Sequence, residues 1–327
     1  MIKDKCFLIT GGFGLLASHI AGQLLEAGAK RIVLFDNSSI GDKSKVHDLL
    51  SHEQVYAVRG DILRVNELYD ALDGVDGVFH TAFFITRPLS DNLSTGMDVN
   101  VRGMMNLLQA CHWRGVPKVV YSSSISVYGS TIDGVITEDM PFQGHGVPPA
   151  YALYGSTKVV SEHLLAFYKE RFGLDYVALR VSSVYGERQH DRGVAVQIIL
   201  DAYRKIRDGE PLVISADEHE VHDYVYAGDV ARAQLMAMAS ELSGESINIA
   251  SGVPTSYGDL LQAVKRACQN EAPVTFIEDP ARVRSAKVSR NSFSNEKAKR
   301  LLGWSPSVPM AEGIKRLIEW QQRNNQH

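Results

Sequence analysis

The stretch Thr10-Gly11-Gly12-Phe13-Gly14-Leu15-Leu16-Ala17 constrains the chain more than any other. It follows an apolar run, Cys6 to Thr10, that reads as a buried strand, and it opens a helical pattern continuing to about Ala27. Gly11 and Gly12 permit a tight turn, and Gly14 lets backbone approach a bound group with no Cβ in the way. Amides at the start of the helix then face that group, with Phe13 and Leu15 beside them. Ala17 holds the position where a small residue allows helix and strand to pack closely. In this strand–turn–helix setting the loop reads as a dinucleotide fingerprint.

Asp36 ends the next strand-like run, Arg31 to Phe35, 22 positions after Gly14. A carboxylate there accepts hydrogen bonds from the adenosine ribose hydroxyls and repels a 2′-phosphate, which favours NAD over NADP. Asp36-Asn37-Ser38-Ser39 is also good turn chemistry, and Lys43 and Lys45 keep the NADP alternative open. After a third run, Val55 to Val58, Gly60-Asp61-Ile62 offers the adenine a seat or is simply a strand-end turn.

Further runs at Val78 to Ala82, Val119 to Ser122 and Tyr176 to Val181 alternate with helical patterns over Leu93 to Arg114 and Tyr154 to Arg171. Strands alternating with helices imply an α/β fold, a doubly wound parallel sheet covered on both faces. The second half is less regular. It reads as helices over Gly193 to Gly209, Asp229 to Ala239 and Tyr257 to Cys268, strands over Leu212 to Ser215 and Ser246 to Ala250, and a final amphipathic helix. With 327 residues, 45% of them hydrophobic, the chain can bury a core that needs no metal or disulfide staple.

A formal charge of −4 gives no electrostatic reason to expect nucleic acid or an anionic membrane as partner. No apolar stretch approaches the roughly 20 residues of a membrane-spanning helix. Cys6, Cys111 and Cys268 share no ligand spacing, and the start lacks a signal peptide's apolar region, so reduced thiols in a cytoplasm are expected. His219-Glu220-Val221-His222-Asp223 resembles a metal cluster but lacks the helical HExxH spacing, and no metal is expected.

Tyr154-Gly155-Ser156-Thr157-Lys158 opens a helical segment, which sets Tyr154 and Lys158 one turn apart on one face. Bringing a tyrosine from a pKa of about 10 to neutrality requires about 4 kcal/mol of preferential phenolate stabilisation. A cation about 5 Å away supplies on the order of 3 kcal/mol at an effective dielectric of 20. The pair therefore has the makings of a general base, although Tyr and Lys at this spacing also occur as plain surface pairs. The run Tyr121 to Gly129 (YSSSISVYG) ends another strand of the same inferred sheet, where a hydroxyl can orient a substrate alcohol beside the tyrosine.

Taken together these segments resemble the extended short-chain dehydrogenase/reductase family, which contains nucleotide-sugar epimerases and dehydratases. The likeness runs from the glycine loop through His80-Thr81-Ala82, Asn100-Val101-Arg102-Gly103, the serine-rich strand end and YGSTK. It continues through Leu179 to Gly186 (LRVSSVYG) and His222 to Tyr226 (HDYVY) to Leu302-Gly303-Trp304-Ser305-Pro306. The resemblance implies that Tyr154 is the base, that Lys158 binds the nicotinamide ribose and lowers the tyrosine pKa, and that Ser124 hydrogen-bonds the reacting oxygen. It makes Asn100 the helix asparagine near the active site. It also implies a Rossmann-type domain over residues 1–182, with 223–252 returning to it. Residues 183–222 and 253–327 would form a smaller C-terminal substrate-binding lobe, and homodimers built on paired helices are usual.

The chain also departs from the family pattern. Dehydratases place an Asp-Glu pair after the catalytic Ser or Thr, where this chain has Ile125 and Ser126, so a 4,6-dehydratase is not expected. Ser183 and His222 stand where nucleotide-sugar enzymes usually carry an asparagine and an arginine that contact substrate. A neutral histidine is a poor substitute for a guanidinium fork on a diphosphate. Arg282 or Arg284 can match another phosphate contact of the family. Arg188, Gln189 and His190 either line the substrate pocket or form a solvated loop, and His80 reads as a packed residue near the cofactor. Trp304 and Trp320 read as packing of the tail. Two enzymatic readings follow: an epimerase acting on a sugar or nucleotide sugar with no net redox change, or an NAD-dependent dehydrogenase of a smaller polyol, hydroxy acid or other alcohol. A non-catalytic NAD-binding sensor on the same fold is the third reading, which the intact Ser124, Tyr154 and Lys158 disfavour.

Overall fold

The apolar runs of the first half become the strands of one sheet. A computed structural model describes residues 1–129, 134–189, 194–277 and 291–324. Its first five strands are β1 (Cys6–Thr10), β2 (Arg31–Asp36), β3 (Val55–Arg59), β4 (Gly77–His80) and β5 (Lys118–Ser124). After the short β6 (Gly134–Ile136) come β7 (Asp175–Val181), β8 (Ser183–Tyr185), β9 (Leu212–Ser215), β10 (Val221–Tyr226) and β11 (Glu245–Ile249). The series ends with β12 (Pro254–Ser256), β13 (Val274–Ile277) and β14 (Asn291–Phe293). Seven of these form the main sheet in the order β11-β7-β5-β4-β1-β2-β3, with every neighbouring pair parallel.

A parallel sheet must bury both faces, and alternate residues of each strand divide between two cores. On one side Phe7 and Ile9 meet Ala17, Ile20 and Leu24 of α1 (Leu15–Glu26). On the other, Leu8 and Val33 meet Leu68 of α2 (Val65–Ala71). Three elements then replace the single helix expected over Leu93 to Arg114. After α3 (Thr86–Asp91) come α4 (Leu93–Met97), a π-helical turn over Asp98–Gly103, and α5 (Met104–Arg114). The wider turn carries Asn100, which is buried, and its side chain reaches across to the β4 loop. Leu107, Leu108 and Cys111 of α5 and Leu165 of α6 (Pro149–Phe172) complete that face.

The second half contributes to both layers. Beyond α7 (Val194–Arg207), α8 (Ala227–Ala239) lays Val230, Ala231 and Ala237 against the α1 side. Strand β11 extends the sheet beside β7. Within 223–252, however, β10 does not join the main sheet: it pairs with β8 and β12. Together with α9 (Tyr257–Ala267) and α11 (Met310–Asn324), which follows the short α10 (Glu296–Leu302), it builds a separate core around Tyr185, Tyr257 and Leu317.

Polar contacts to Asp229 help fasten the tail. Asp229, in the first turn of α8, accepts the Ser307 and Val308 amides at 2.8 and 2.9 Å, and its own carbonyl accepts the Trp304 indole N–H at 2.9 Å. Trp304 is fully buried. Replacing Trp304 with Ala should destabilise the chain by about 3–5 kcal/mol, read by urea denaturation. A change near zero would show that the tail carries little of the fold's stability.

Candidate active site

At the carboxyl end of β1 the chain turns through Gly11, whose φ is +66°, and a side chain at Gly12 would strike the Leu34 backbone at 2.7 Å. Gly14 then enters α1 with extended backbone, and no side chain caps that helix. The loop forms one wall of a cleft, open to solvent, whose other walls are the ends of β2, β3 and β4. Asp36, Asn37, Asp61 and Ile62 all line it. The Asp36 carboxylate accepts the Phe13 amide at 3.1 Å and the Ser38 amide at 2.7 Å, so it also braces the glycine loop. Burial raises its pKa, against the pull of those two amides. Asp61 accepts the Leu63 amide at 2.9 Å, capping its own turn. Lys45 points away, donating to the Gln189 carbonyl at 2.8 Å. Two glycines that leave room for backbone and a carboxylate at the end of β2 fit a dinucleotide.

Beside the cleft, α6 brings two buried side chains to the end of β5. Gly155 makes this approach possible, since a Cβ there would meet the Ser126 carbonyl at 2.3 Å. Tyr154 and Lys158 are 7% and 1% exposed. Burial raises the Tyr154 phenol pKa, and a hydrogen bond with Ser124 works in the opposite direction. Ser124 caps the turn Ile125–Tyr128, its Oγ accepting the Ser126 amide at 3.1 Å. The Lys158 ammonium donates to the Ser122 carbonyl at 2.8 Å and lies 3.3 Å from the ring centre of Phe83. Burial pulls its pKa well down, and Glu162 opposes that pull.

The surrounding residues settle into supporting positions. Asn100 accepts the Phe84 amide at 2.7 Å and donates to the Phe84 carbonyl at 2.9 Å and to Thr157 at 3.3 Å, clamping the β4 loop to α6. His80 shares a 2.7 Å hydrogen bond with Thr10 and stacks on Tyr121; burial and then Lys158 push its pKa down to about 3, so it is neutral. Ser183 opens β8, with Ser182 between it and β7, and β7 ends at Val181 opposite Ser124. His222 pairs with the Glu220 carboxylate at 2.7 Å and packs against Tyr257. Arg188 bonds the Lys45 carbonyl at 2.9 Å and the Asp48 carboxylate, tying its loop to the segment after β2. Asp223 is occupied by Ser182 and the Ser251 and Gly252 amides, and among the described residues no group of three His, Cys, Asp or Glu could hold a metal ion. The three cysteines are unpaired, and no described helix is long and apolar enough to cross a membrane. His190, Arg282 and Arg284 lie outside the described residues.

Sequence reasoning did not single out Phe83 or Glu162. Glu162 could have been found by extending the four-residue spacing of Tyr154 and Lys158 by one more turn. Phe83 follows His80-Thr81-Ala82, but nothing local to it signals a lysine from a distant helix.

A sequence model described as the NAD dependent epimerase/dehydratase family matches residues 7–250. The chain is 32% identical over 329 residues to a UDP-glucose 4-epimerase of Mycolicibacterium smegmatis, covering 98% of this chain and 99% of that protein. It is 31% identical over 322 residues to a putative UDP-glucose 4-epimerase of Methanocaldococcus jannaschii, covering 97% and 99%. The structure of a Thermus thermophilus UDP-glucose 4-epimerase in complex with NAD superimposes with a TM-score of 0.83 at 29% identity, covering 97% and 99%. NAD is thus the cofactor, and Asp36→Ala should weaken its binding about 10- to 100-fold by calorimetry while narrowing the preference over NADP. Because burial raises the Asp36 pKa, NAD affinity should fall on acidification above the ordinary carboxylate range; unchanged binding in the variant would remove Asp36 from the site. The Rossmann-type sheet, the dinucleotide cleft and a sequence match over most of its length agree: the chain belongs to the NAD-dependent epimerase/dehydratase family and is an enzyme of the extended short-chain dehydrogenase/reductase type.

Proposed function

We propose that the chain epimerises a secondary hydroxyl of a sugar or nucleotide sugar, with Tyr154 as base and acid, Ser124 orienting the reacting oxygen and Lys158 supplying the balancing charge. The observation that carries this reading is the convergence of the three side chains from α6 and β5 beside the cofactor cleft. Tyr154 takes the hydroxyl proton at its phenolic oxygen and later returns it. Ser124 holds that hydroxyl by a hydrogen bond. Lys158 favours the phenolate, which burial alone disfavours. NAD, when bound, accepts and returns the hydride and adds a positive ring to the site. Gly11, Gly14, Phe13 and Leu15 would hold its pyrophosphate, Asp36 and Asn37 its ribose, and Asp61 and Ile62 its adenine. Asn100 acts by holding the loop beside Lys158.

Ile125 and Ser126 supply neither of the acidic groups that water elimination needs, which favours epimerisation over dehydration. A second reading, net oxidation of a smaller alcohol, draws on His222. Its pairing with Glu220 sets a carboxylate beside the position where nucleotide-sugar enzymes usually carry an arginine, which disfavours a diphosphate there. The two are separated by incubating the enzyme with NAD and UDP-glucose. Appearance of the 4-epimer without net NADH supports epimerisation, whereas NADH formed from a small alcohol and none of the epimer overturns it. Tyr154→Phe should lower turnover by at least about 100-fold.

The outer faces of α5 and α6 expose Met105 (48%), Trp113 (55%), Val160 (40%) and Phe167 (56%), a concentration of large apolar side chains unusual on a monomer's surface. We infer that a second copy of the chain covers this face in a homodimer. Light scattering should give a dimer for the wild type and a monomer for Trp113→Glu/Phe167→Glu; a monomeric wild type rules the arrangement out.

A further inference from the structure

Tyr154, Lys158 and Glu162 recur every four residues along α6 and so follow one another on one face, about 6 Å apart. Glu162 is the member of this row without a proposed role in the reaction. Its carboxylate is largely buried. It accepts the Ser123 hydroxyl at 2.6 Å, the Ser246 hydroxyl at 3.0 Å and the Arg180 guanidinium at 2.8 Å. Ser123 immediately precedes Ser124, and Arg180 stands opposite Ser123 on β7. One carboxylate thereby joins the helix carrying Tyr154 and Lys158 to the strand carrying Ser124.

We infer that Glu162 is a positioning residue for the reaction, one that keeps Lys158 charged beside Tyr154 and fixes the strand end that presents Ser124. The inference rests on the roles proposed above for Tyr154 and Lys158.

The groups around Lys158 leave this task to Glu162. From β4 it is faced by neutral His80, from β5 by Tyr121, from the β4 loop by the Phe83 ring, and from its own helix by Tyr154 and Glu162. Glu162 is the carboxylate among them. A buried ammonium loses its proton readily unless an opposite charge is near. Glu162 is itself faced by Arg180 from β7, by the hydroxyls of Ser123 and Ser246, and by Tyr121 and Tyr176. Burial would push its carboxyl up, but Arg180 and the two hydroxyls hold it below the usual carboxylate range, so it is ionised at neutral pH. Arg180 also bonds the Tyr128 hydroxyl and the Glu138 carbonyl, and these fix the pair in place.

The two members of the pair should act on Tyr154 in opposite directions. Removing the negative charge with Glu162→Gln disfavours the lysine ammonium and hence the phenolate it supports. Removing the neutralising charge with Arg180→Gln leaves Glu162 uncompensated, which favours the ammonium and hence the phenolate. A residue that is only a strut predicts loss of stability in both variants and no directed change in ionisation.

The test is the ultraviolet phenolate titration of the NAD-loaded enzyme, each spectrum corrected with the same protein carrying Tyr154→Phe. The Tyr154 midpoint should rise by about one pH unit in Glu162→Gln and fall in Arg180→Gln. Should either single variant fail to fold, Glu162→Gln/Arg180→Gln removes both charges, so that neither member of that ion pair is left buried without the other. Its midpoint should rise by less than that of Glu162→Gln. Unmoved midpoints, or shifts of one sign in the two single variants, overturn the inference. If Tyr154→Phe itself keeps full epimerising activity, the underlying assignment of Tyr154 falls and this inference with it. An inactive Tyr154→Phe with unmoved midpoints removes only the role of Glu162.

Discussion

All seven strands of the main sheet run the same way, so every strand-to-helix connection of that sheet leaves from one edge. The order β11-β7-β5-β4-β1-β2-β3 reverses its direction of growth between β4 and β1. Connections on the two sides of that point diverge, and a crevice opens between them without any residue having to create it. The glycine loop leaves β1, Asp36 ends β2, Asp61 follows β3, Phe83 follows β4 and Ser124 ends β5. Groups separated by more than a hundred residues in sequence become neighbours because the hydrogen-bond ladder leaves them no other place. The cleft and the strand end that carries Ser124 therefore share one rim, and the candidate site depends on the sheet before it depends on any single side chain.

What the sheet cannot supply is a charge in a dry place. Burying an ammonium costs several kcal/mol, and Lys158 meets that cost with three kinds of partner. It has a carbonyl at 2.8 Å, aromatic faces at 3.3 and 4.7 Å, and a carboxylate one turn away on its own helix. A cation over a ring in a desolvated site is worth on the order of 2 kcal/mol, so Phe83 is a substantial part of this support as well as a wall of the cleft. The same dryness that strains the lysine makes its field felt at Tyr154, because little water screens it. The site is thus strained and useful for one reason.

The readable parts of the chain were those whose meaning is local. The glycine loop, Asp36 and the Tyr154–Lys158 spacing each fit within one strand–turn–helix unit, and α/β alternation followed from period and composition. Parts fixed by distant partners were not readable. The helical period over Leu93 to Arg114 gave no sign of the π-helical turn at Asp98–Gly103, because the Phe84 backbone groups that Asn100 binds lie on another element. Arg188 read either as lining the substrate pocket or as part of a solvated loop, and its bonds run to Lys45 and Asp48, over a hundred residues earlier. The three-residue strands β8, β12 and β14 escaped notice because so few residues carry too little alternation to read, and β13 escaped with them.

The second core follows the same economy of constraint. It hangs from the sheet's own ends: β8 begins after β7 with only Ser182 between, and β12 follows closely on β11. Asp223 closes this junction, taking the Ser182 hydroxyl and the amides of Ser251 and Gly252 on one buried carboxylate. Asp229, six residues on, does the same for the tail at Ser307 and Val308. Both carboxylates act on backbone amides, so they tolerate change in the surrounding side chains. His222, Glu220 and Tyr257 sit on that second framework, whereas Tyr154, Lys158 and Ser124 sit on α6 and β5. In the proposed reading, substitution among them alters how substrate is gripped while Tyr154, Lys158 and Ser124 keep their own framework.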